Sequence, residues 1–284
     1  MKGSENLRVL ILGGFGLLGQ EIYRQFKLEG HQVVRTPKQE CDITDLSSLK
    51  AAIEKYKPEV VIHSAGITNV DQVEDDPLQA YNVNSLSMYN LIESVRELQP
   101  IIVFISTDYV FDGHSNIPYR ENDDRKPINV YGRSKMLAED ILKSNYENYY
   151  IVRTSWLFGK GGKCFPDTIV KNILGDAKIL NVVDDQWGSP TYTVDLSESL
   201  LELIGCPYGT YHITNTGITS WYEFAKLIAE VKQFKHSEIC PVSSEKYPTR
   251  ARRPKYSALD NSNFIRNKRQ LRHFSEALHS FFIE

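Results

Sequence analysis

The chain reads as an α/β protein built on a doubly wound, Rossmann-type parallel sheet with a small, mostly helical C-terminal cap. Three observations carry that prediction. Short β-branched apolar runs alternate with helical patterns through the first half of the chain. Several of these runs are continuously apolar, as strands covered on both faces must be. The first run also passes directly into the glycine cluster "GGFGLLG" (13–19) and then into a helical pattern, the context expected of a nucleotide-binding turn.

Taken in order, the runs "RVLILGG" (8–14), "HQVVRT" (31–36), "VVIHSAG" (60–66), "IIVFIST" (101–107), "YIVRTS" (150–155), "KILNVVD" (178–184) and "GTYHITN" (209–215) predict strands. Between them, 3.6-residue patterns predict helices near 17–29, 45–56, 85–98, 130–145, 165–175 and 193–204. After residue 215 the rhythm changes. A helix near 221–232 precedes the Pro- and Arg-rich loop "CPVSSEKYPTRARRPKYSALD" (240–260), and a last helix is predicted near 273–283. With no internal repeat and no low-complexity linker, the tail reads as a cap closing over the sheet. The expected division is a dinucleotide-binding domain over 1–155, with strands near 178–215 returning to it, and a substrate-binding cap over 156–177 and 216–284.

The composition, 41% hydrophobic and 24% charged over 284 residues, is that of an ordinary globular protein with ample chain for a core. A net charge of -3 and a pI of 6.2 argue against a nucleic-acid or membrane-surface partner. The basic "RNKRQLR" (266–272) reads as a solvated helix end. Cys41, Cys164, Cys206 and Cys240 stand far apart without a C-x-x-C, which fits a reducing compartment and argues against zinc. The seven histidines form no H-E-x-x-H. No apolar run reaches the roughly 18 residues of a membrane span, and "MKGSENLRVL" enters a strand pattern instead of a signal peptide. These readings predict a cytoplasmic protein without a metal.

Within the glycine cluster, Gly13 allows the tight turn and Gly16 lets backbone approach a pyrophosphate. Gly19 lets helix and strand pack closely, while the helix N-terminus favours the anion. Gly14, Phe15, Leu17 and Leu18 complete this cofactor-binding segment. A site selecting NAD places an acid about 20 residues beyond the glycines. Here "VVRTPK" puts Arg35 there, which suits a 2′-phosphate and favours NADPH. The same arginine stacked on adenine would accept NADH as well. Asp42 and Ile43 in "CDIT" are placed to frame the adenine. Ala65 and Gly66 in "HSAG" are small enough to let cofactor pass, and Thr68 follows them.

The chemistry is read from two segments. "IIVFISTDYVFDG" (101–113) is a buried strand ending in Ser106, Thr107 and Asp108, and ligands of open α/β sheets sit beyond such strand ends. About 24 residues on, "YGRSK" (131–135) sets Tyr131 and Lys135 at i and i+4, on one helix face with Cβ atoms roughly 6 Å apart. Tyr131 would protonate a carbonyl oxygen as hydride arrives. Lys135 would lower the phenol's pKa and hold the nicotinamide ribose, and Thr107 would hydrogen-bond the carbonyl oxygen.

Together "GGFGLLG", "STDYVFDG" and "YGRSK" resemble the extended short-chain dehydrogenase/reductases. With "NVDQVE" (69–74), "RTSWLFG" (153–159), "DDQWGSPTYTVDL" (184–196) and "RRPKYSALD" (252–260), the chain resembles more narrowly the dTDP-4-dehydrorhamnose reductase family over nearly its whole length. The resemblance implies reduction of the C4 ketone of a dTDP-hexulose, with Tyr131 as proton donor and Thr107 and Lys135 completing the triad. It implies that Val70, Asp108 and Trp156 line the sugar-nucleotide pocket. Because such a substrate carries a diphosphate, Arg250, Arg252 and Arg253 become candidate cations; a structural salt bridge is the other role open to Arg253. Some members hold Mg²⁺ at a dimer interface through two glutamates. Glu21 matches the first, but Val194, with Asp195 adjacent, falls at the second. No structural metal is therefore expected, and the homodimer is an open expectation.

Other classes compete. Relatives of this family serve as non-catalytic NADP-binding regulatory subunits, but an intact Thr107, Tyr131 and Lys135 set argues for catalysis. A dehydratase carries Asp-Glu after the strand-end threonine, where this chain has "DY". A reductase making a related dTDP-6-deoxyhexose stays open.

Overall fold

The computed structural model describes residues 6–175, 179–234 and 238–283. Five of the apolar runs become strands β1 (Arg8–Leu12), β2 (Gln32–Arg35), β3 (Val60–His63), β4 (Ile101–Thr107) and β5 (Tyr149–Thr154). Gly209–His212 adds a sixth, giving the order β2-β1-β3-β4-β5 followed by Gly209–His212, with every neighbour parallel. The order reverses between β1 and β3, the switch point at which such sheets open a crevice for ligands.

Alternate residues of each strand feed two cores. Val9, Ile11, Val103 and Ile105 pack with Ile22, Phe26, Leu196, Leu200 and Leu203 on one face. Leu10, Leu12, Ile102 and Phe104 pack with Leu49, Ile53, Met88, Leu91 and Leu142 on the other. Burial on both faces explains why these runs carry no polar alternation. Helices α1 (Leu17–Leu28) and α2 (Leu46–Tyr56) follow the first two strands, and Asp45 caps α2 by accepting the Ser47 N–H.

The helix expected over 85–98 is present but shorter, Ser87–Ser94, and a broken path precedes it: Val70–Asp75, Pro77–Tyr81 and a π-helical turn over Asn82–Leu86. Asn69 and Asp76 cap the two short helices, each accepting a backbone N–H three residues on. The wide turn has a cause. The Asn84 amide spans to the Ile67 N–H and C=O, at 2.7 and 3.0 Å. Ser85 donates to the Ser134 carbonyl at 2.7 Å. Such π-turns recur where a helix is bent to serve a site.

The 178–184 strand requires correction; its first position lies outside the described residues, as do residues 1–5 of the expected first domain. Ile179–Val183 does not return to the main sheet but pairs in parallel with Glu238–Val242, whose last three residues begin the 240–260 stretch read as loop. Only Val182 of that strand is buried, so it covers one side of the cap, unlike the central strands. Beneath it Phe158, Tyr192, Phe224 and Phe281 form an aromatic core with the helices Phe165–Leu174, Trp221–Val231 and Phe274–Ile283. The basic 266–272 segment does close a helix, Ser262–Asn267, with residues 266–270 exposed as expected, but two of its arginines are tied down. Arg269 pairs with Glu198 and Glu202, and Arg272 with Asp195, all on the Thr193–Leu203 helix. Buried Leu271 lies between the two arginines.

Candidate active site

At the carboxyl ends of β1, β3, β4 and β5 opens a cavity of about 470 Å³. Gly13, Gly16, Leu17 and Leu18 line it from the glycine turn, and Ala65, Gly66, Thr68 and Val70 from the end of β3. Thr107, Asp108, Tyr131, Lys135 and Trp156 complete the expected set found there.

The glycine turn has the geometry its spacing predicts. Gly13 adopts φ +81°, and a Cβ on it would meet the Ala65 nitrogen at 2.5 Å. A Cβ on Gly19 would fall 2.3 Å from the Gly13 carbonyl oxygen, so only glycine lets α1 start this close to the turn. Gly16 meets nothing nearer than 3.4 Å, which leaves room above the first turn of α1 for a phosphate. These residues fit a dinucleotide.

Gly14, Phe15, Arg35, Asp42, Ile43 and Arg253 stand outside the cavity wall. Arg35 lies with its guanidinium carbon 4.5 Å from the Phe15 ring and 4.4 Å from the Tyr23 ring, flanking the turn. A Cβ on Gly14 would strike the Arg35 Cβ, so Gly14 admits the strand that carries this cation. Asp42 accepts from the Thr44 N–H and hydroxyl at 2.9 and 2.7 Å, which holds its carboxyl below the usual range. Ile43 is a core residue, buried with Leu12 and Leu49. Of the two roles open to Arg253, the structure shows the ion pair. Its guanidinium meets Asp71 at 2.6 Å and also donates to the Ala251 carbonyl. Arg250 pairs with Asp75, so two of the three candidate cations tie the 250s loop to the Val70–Asp75 helix.

Asn129 builds the start of the helix that carries the Tyr–Lys pair. Its Oδ1 accepts the Gly132 N–H at 2.8 Å, and its amide donates to the Arg252 carbonyl at 2.8 Å. Thr107 ends β4, accepts the Tyr109 N–H at 3.1 Å and donates to Asp108 at 3.0 Å. Tyr131 is pushed up from the ordinary phenol value by burial and the nearby Asp108, against a smaller effect of the Thr107 hydroxyl. The expectation that Lys135 lowers this phenol does not describe the free protein. Burial dominates, and it keeps Tyr131 protonated. Burial also brings Lys135 down to about 7, with Glu139 pulling the other way, and sets its ammonium 4.0 Å from the Phe104 ring centroid. Asp108 is 3% exposed, and burial pushes its carboxyl up to about 7.

Trp156 holds φ +47°, a strained value for a residue with a side chain. It stacks on Trp221 at 3.5 Å with ring planes 6° apart, and a Cβ on Gly188 would enter its indole. The "GSPT" glycine therefore makes space for the tryptophan. The sequence reading missed Trp221, Tyr109, Ser64, Asn84, Thr154, Ser155 and Lys163, all of which line the cavity. Tyr109 follows Asp108 directly and was legible by adjacency; Trp221 and Lys163 come from the cap, where no strand end announces them.

Among the described residues no group of three or more His, Cys, Asp or Glu is placed to hold a metal. Glu21 is bound by Arg24 and Gln25, and Asp195 by Arg272 and Asn215. No described helix is long and apolar enough to cross a membrane.

A family model described as the RmlD substrate binding domain matches residues 7–284. The spore coat polysaccharide biosynthesis protein SpsK of Bacillus subtilis is 40% identical, covering 98% of this chain and 97% of its own length. The dTDP-4-dehydrorhamnose reductase of Streptomyces griseus is 35% identical, covering 95% and 91%. A crystal structure of dTDP-4-dehydrorhamnose reductase from Bacillus anthracis in complex with NADP superposes with a TM-score of 0.94 at 37% identity, covering 98% of this chain and 99% of that one. With its glycine turn, its Thr107–Tyr131–Lys135 cavity and a match spanning nearly all of its length, this chain belongs to the RmlD substrate binding domain family of dTDP-4-dehydrorhamnose reductases.

Proposed function

We propose that the protein is an NADPH-dependent reductase converting the C4 ketone of dTDP-4-dehydro-β-L-rhamnose to dTDP-L-rhamnose, the last step in making that nucleotide sugar. The observation that carries this reading is one cavity in which the glycine turn and the Thr107, Tyr131 and Lys135 side chains converge. NADPH, when bound, supplies the hydride. Gly13, Gly16, Leu17 and Leu18 would hold its pyrophosphate at the N-terminus of α1, and Arg35 beside Phe15 would meet the 2′-phosphate of its adenosine end. Ala65, Gly66 and Thr68 border its path to the nicotinamide.

Tyr131 is the proton donor. Its burial keeps the phenol protonated in the free enzyme, the form needed to deliver a proton to the C4 oxygen. Lys135, one turn along the same face, holds the nicotinamide ribose and stabilises the phenolate that forms. Thr107 donates to the carbonyl oxygen and orients it. Asp108, Val70 and Trp156 shape the sugar site, and the Trp156–Trp221 stack walls it from the cap. Arg253 contributes by fixing the loop over the Val70–Asp75 helix. The four cysteines are unpaired, in keeping with work in a reducing cytoplasm, and a homodimer is the assembly proposed with it.

The test is NADPH oxidation with dTDP-4-dehydro-L-rhamnose, comparing the wild type with Tyr131→Phe. Turnover that this variant cuts by about 10²-fold or more, the scale of a lost general acid, is the expected result. Tight NADPH binding without turnover of this substrate would overturn the reading in favour of a regulatory subunit or a different deoxyhexose.

A further inference from the structure

Behind the reacting pair lies a buried ionic cluster centred on Glu139 and Arg153, two residues that the proposed chemistry does not use; its Ser106 reaches the cavity wall. Tyr131, Lys135 and Glu139 stand at i, i+4 and i+8 of the Val130–Asn145 helix, so one face carries all three. Glu139 is fully buried. Its Oε1 accepts the Ser106 hydroxyl at 2.6 Å and Arg153 Nε at 2.9 Å. Its Oε2 accepts Arg153 Nη2 at 2.7 Å and Arg125 Nη1 at 3.1 Å, with Lys143 at 4.0 Å. Ser106 immediately precedes Thr107 on β4, and Arg153 immediately precedes Thr154 on β5. The carboxylate is thus the node where the Tyr–Lys helix meets both strands that deliver polar groups to the cavity. Arg153 is also fully buried. Its remaining N–H groups reach the Glu121 carbonyl at 3.1 Å and His212 Nε2 at 3.3 Å.

Buried ion pairs are poor stabilisers compared with apolar residues of the same volume, and breaking one partner is costly. A pair kept this close to the reacting groups therefore calls for a role besides stability. We propose that Glu139 is the positioning residue of the reductase site. Through Ser106 and Arg153 it locks the Tyr131–Lys135 face onto the ends of β4 and β5, and it keeps a negative charge one turn below the Lys135 ammonium.

Lys135 faces His63 from β3, Phe104 from β4, and Tyr131 and Glu139 from its own helix. Glu139 faces Arg153, Arg125 and Lys143, with His212 beyond Arg153. Tyr149, at the start of β5, also feels the Glu139 charge, and burial pushes its phenol up, so it stays neutral near pH 7. Burial holds both His63 and His212 down to about 3, so neither changes charge near neutrality. Glu139 is held ionised at about 2 by Arg153 and the Ser106 hydroxyl despite its burial. Of the groups facing the pair, Lys135 titrates near pH 7; Asp108, also lifted to about 7, stands beside Tyr131 and is the same in every variant compared.

The inference rests on the reductase reading, so the wild-type assay comes first; an inactive wild type refutes that reading and leaves no Tyr131–Lys135 site for Glu139 to position. With wild-type turnover in hand, pH profiles of kcat and KM are recorded for Glu139→Gln, Ser106→Ala and the charge-balanced Glu139→Gln/Arg153→Met. Removing the negative charge favours neutral Lys135. In Glu139→Gln the alkaline limb of kcat should therefore move to lower pH by about one unit, and in the double variant, which also loses the Arg153 cation, by a smaller step in the same direction. Ser106→Ala keeps the charge but loosens the helix from β4. Its kcat should fall about tenfold, KM should change little, and the limb should stay in place. If Glu139→Gln fails to fold, the balanced double variant decides. Folded Glu139 variants whose alkaline limb coincides with wild type would overturn the proposal, leaving the cluster a structural one. So would a Ser106→Ala enzyme with unchanged kcat.

Discussion

Replacing Gly132 by alanine adds one methyl group to the helix turn that carries Tyr131. An ideal Cβ at this position falls 2.0 Å from the Tyr109 carbonyl oxygen, 2.9 Å from the Tyr109 carbonyl carbon and 2.9 Å from the Pro127 Cβ. Close carbon–oxygen contacts lie near 3.3 Å or beyond, so the two backbones must separate by about 1 Å. The obstructing carbonyl belongs to the Asp108–Val110 turn, which continues directly from Thr107. On the other side, the Gly132 N–H is held by Asn129. The methyl therefore drives the element bearing Thr107 and Asp108 away from the one bearing Tyr131 and Lys135. A displacement of that size at reacting groups costs about 10²-fold in rate, while overpacking costs about 1–3 kcal/mol of stability. Steady-state NADPH oxidation with the keto-sugar substrate, beside a thermal melt, measures both. A folded Gly132→Ala enzyme with wild-type kcat would refute the claim that this backbone approach sets the catalytic geometry.

Arg35→Ala should raise the KM for NADPH by about tenfold and leave that for NADH nearly unchanged, because the cation beside Phe15 is assigned to the 2′-phosphate; equal effects on both cofactors would assign it to adenine stacking instead. Asp108 tests linkage. Burial lifts its carboxyl from 3.8 to about 7, so its contribution to stability is full below about 3.8 and is lost as pH rises through about 7. Asp108→Asn cannot ionise, so its Tm should fall less than that of wild type between about pH 5 and pH 8; parallel melting curves would contradict this. Trp221→Ala removes the partner of Trp156 and should raise the KM for the sugar nucleotide by about threefold to tenfold without changing NADPH affinity. A matching loss of NADPH affinity, measured by fluorescence titration, would place Trp221 at the cofactor.

The central sheet was legible because its signals are local and mutually consistent. Continuous apolar runs, a glycine turn at the end of the first and helical periods between them leave little choice of architecture. The Tyr131–Lys135 pair was legible for the same reason, since i and i+4 fix a shared face wherever a helix forms. The broken path over 70–86 was not. It is decided by Asn84 reaching Ile67 and Ser85 reaching Ser134, contacts between segments that local patterning treats independently. The 178–184 run was read as a sheet strand because its composition is right, yet it covers one side of the cap with Glu238–Val242.

By itself the sequence determined the doubly wound sheet, the dinucleotide turn and the shared helix face of Tyr131 and Lys135, all of which depend on residue type and short spacing. Tertiary structure alone decided the electrostatic states and the allocation of the cations. Burial, which no local pattern reports, sets Tyr131 above its ordinary value, brings Lys135 to about 7 and lifts Asp108 to about 7. Arg253 is committed to Asp71, a residue 182 positions away in the chain. Charges and dielectric act through space, so their outcome follows from which distant segments the fold brings together.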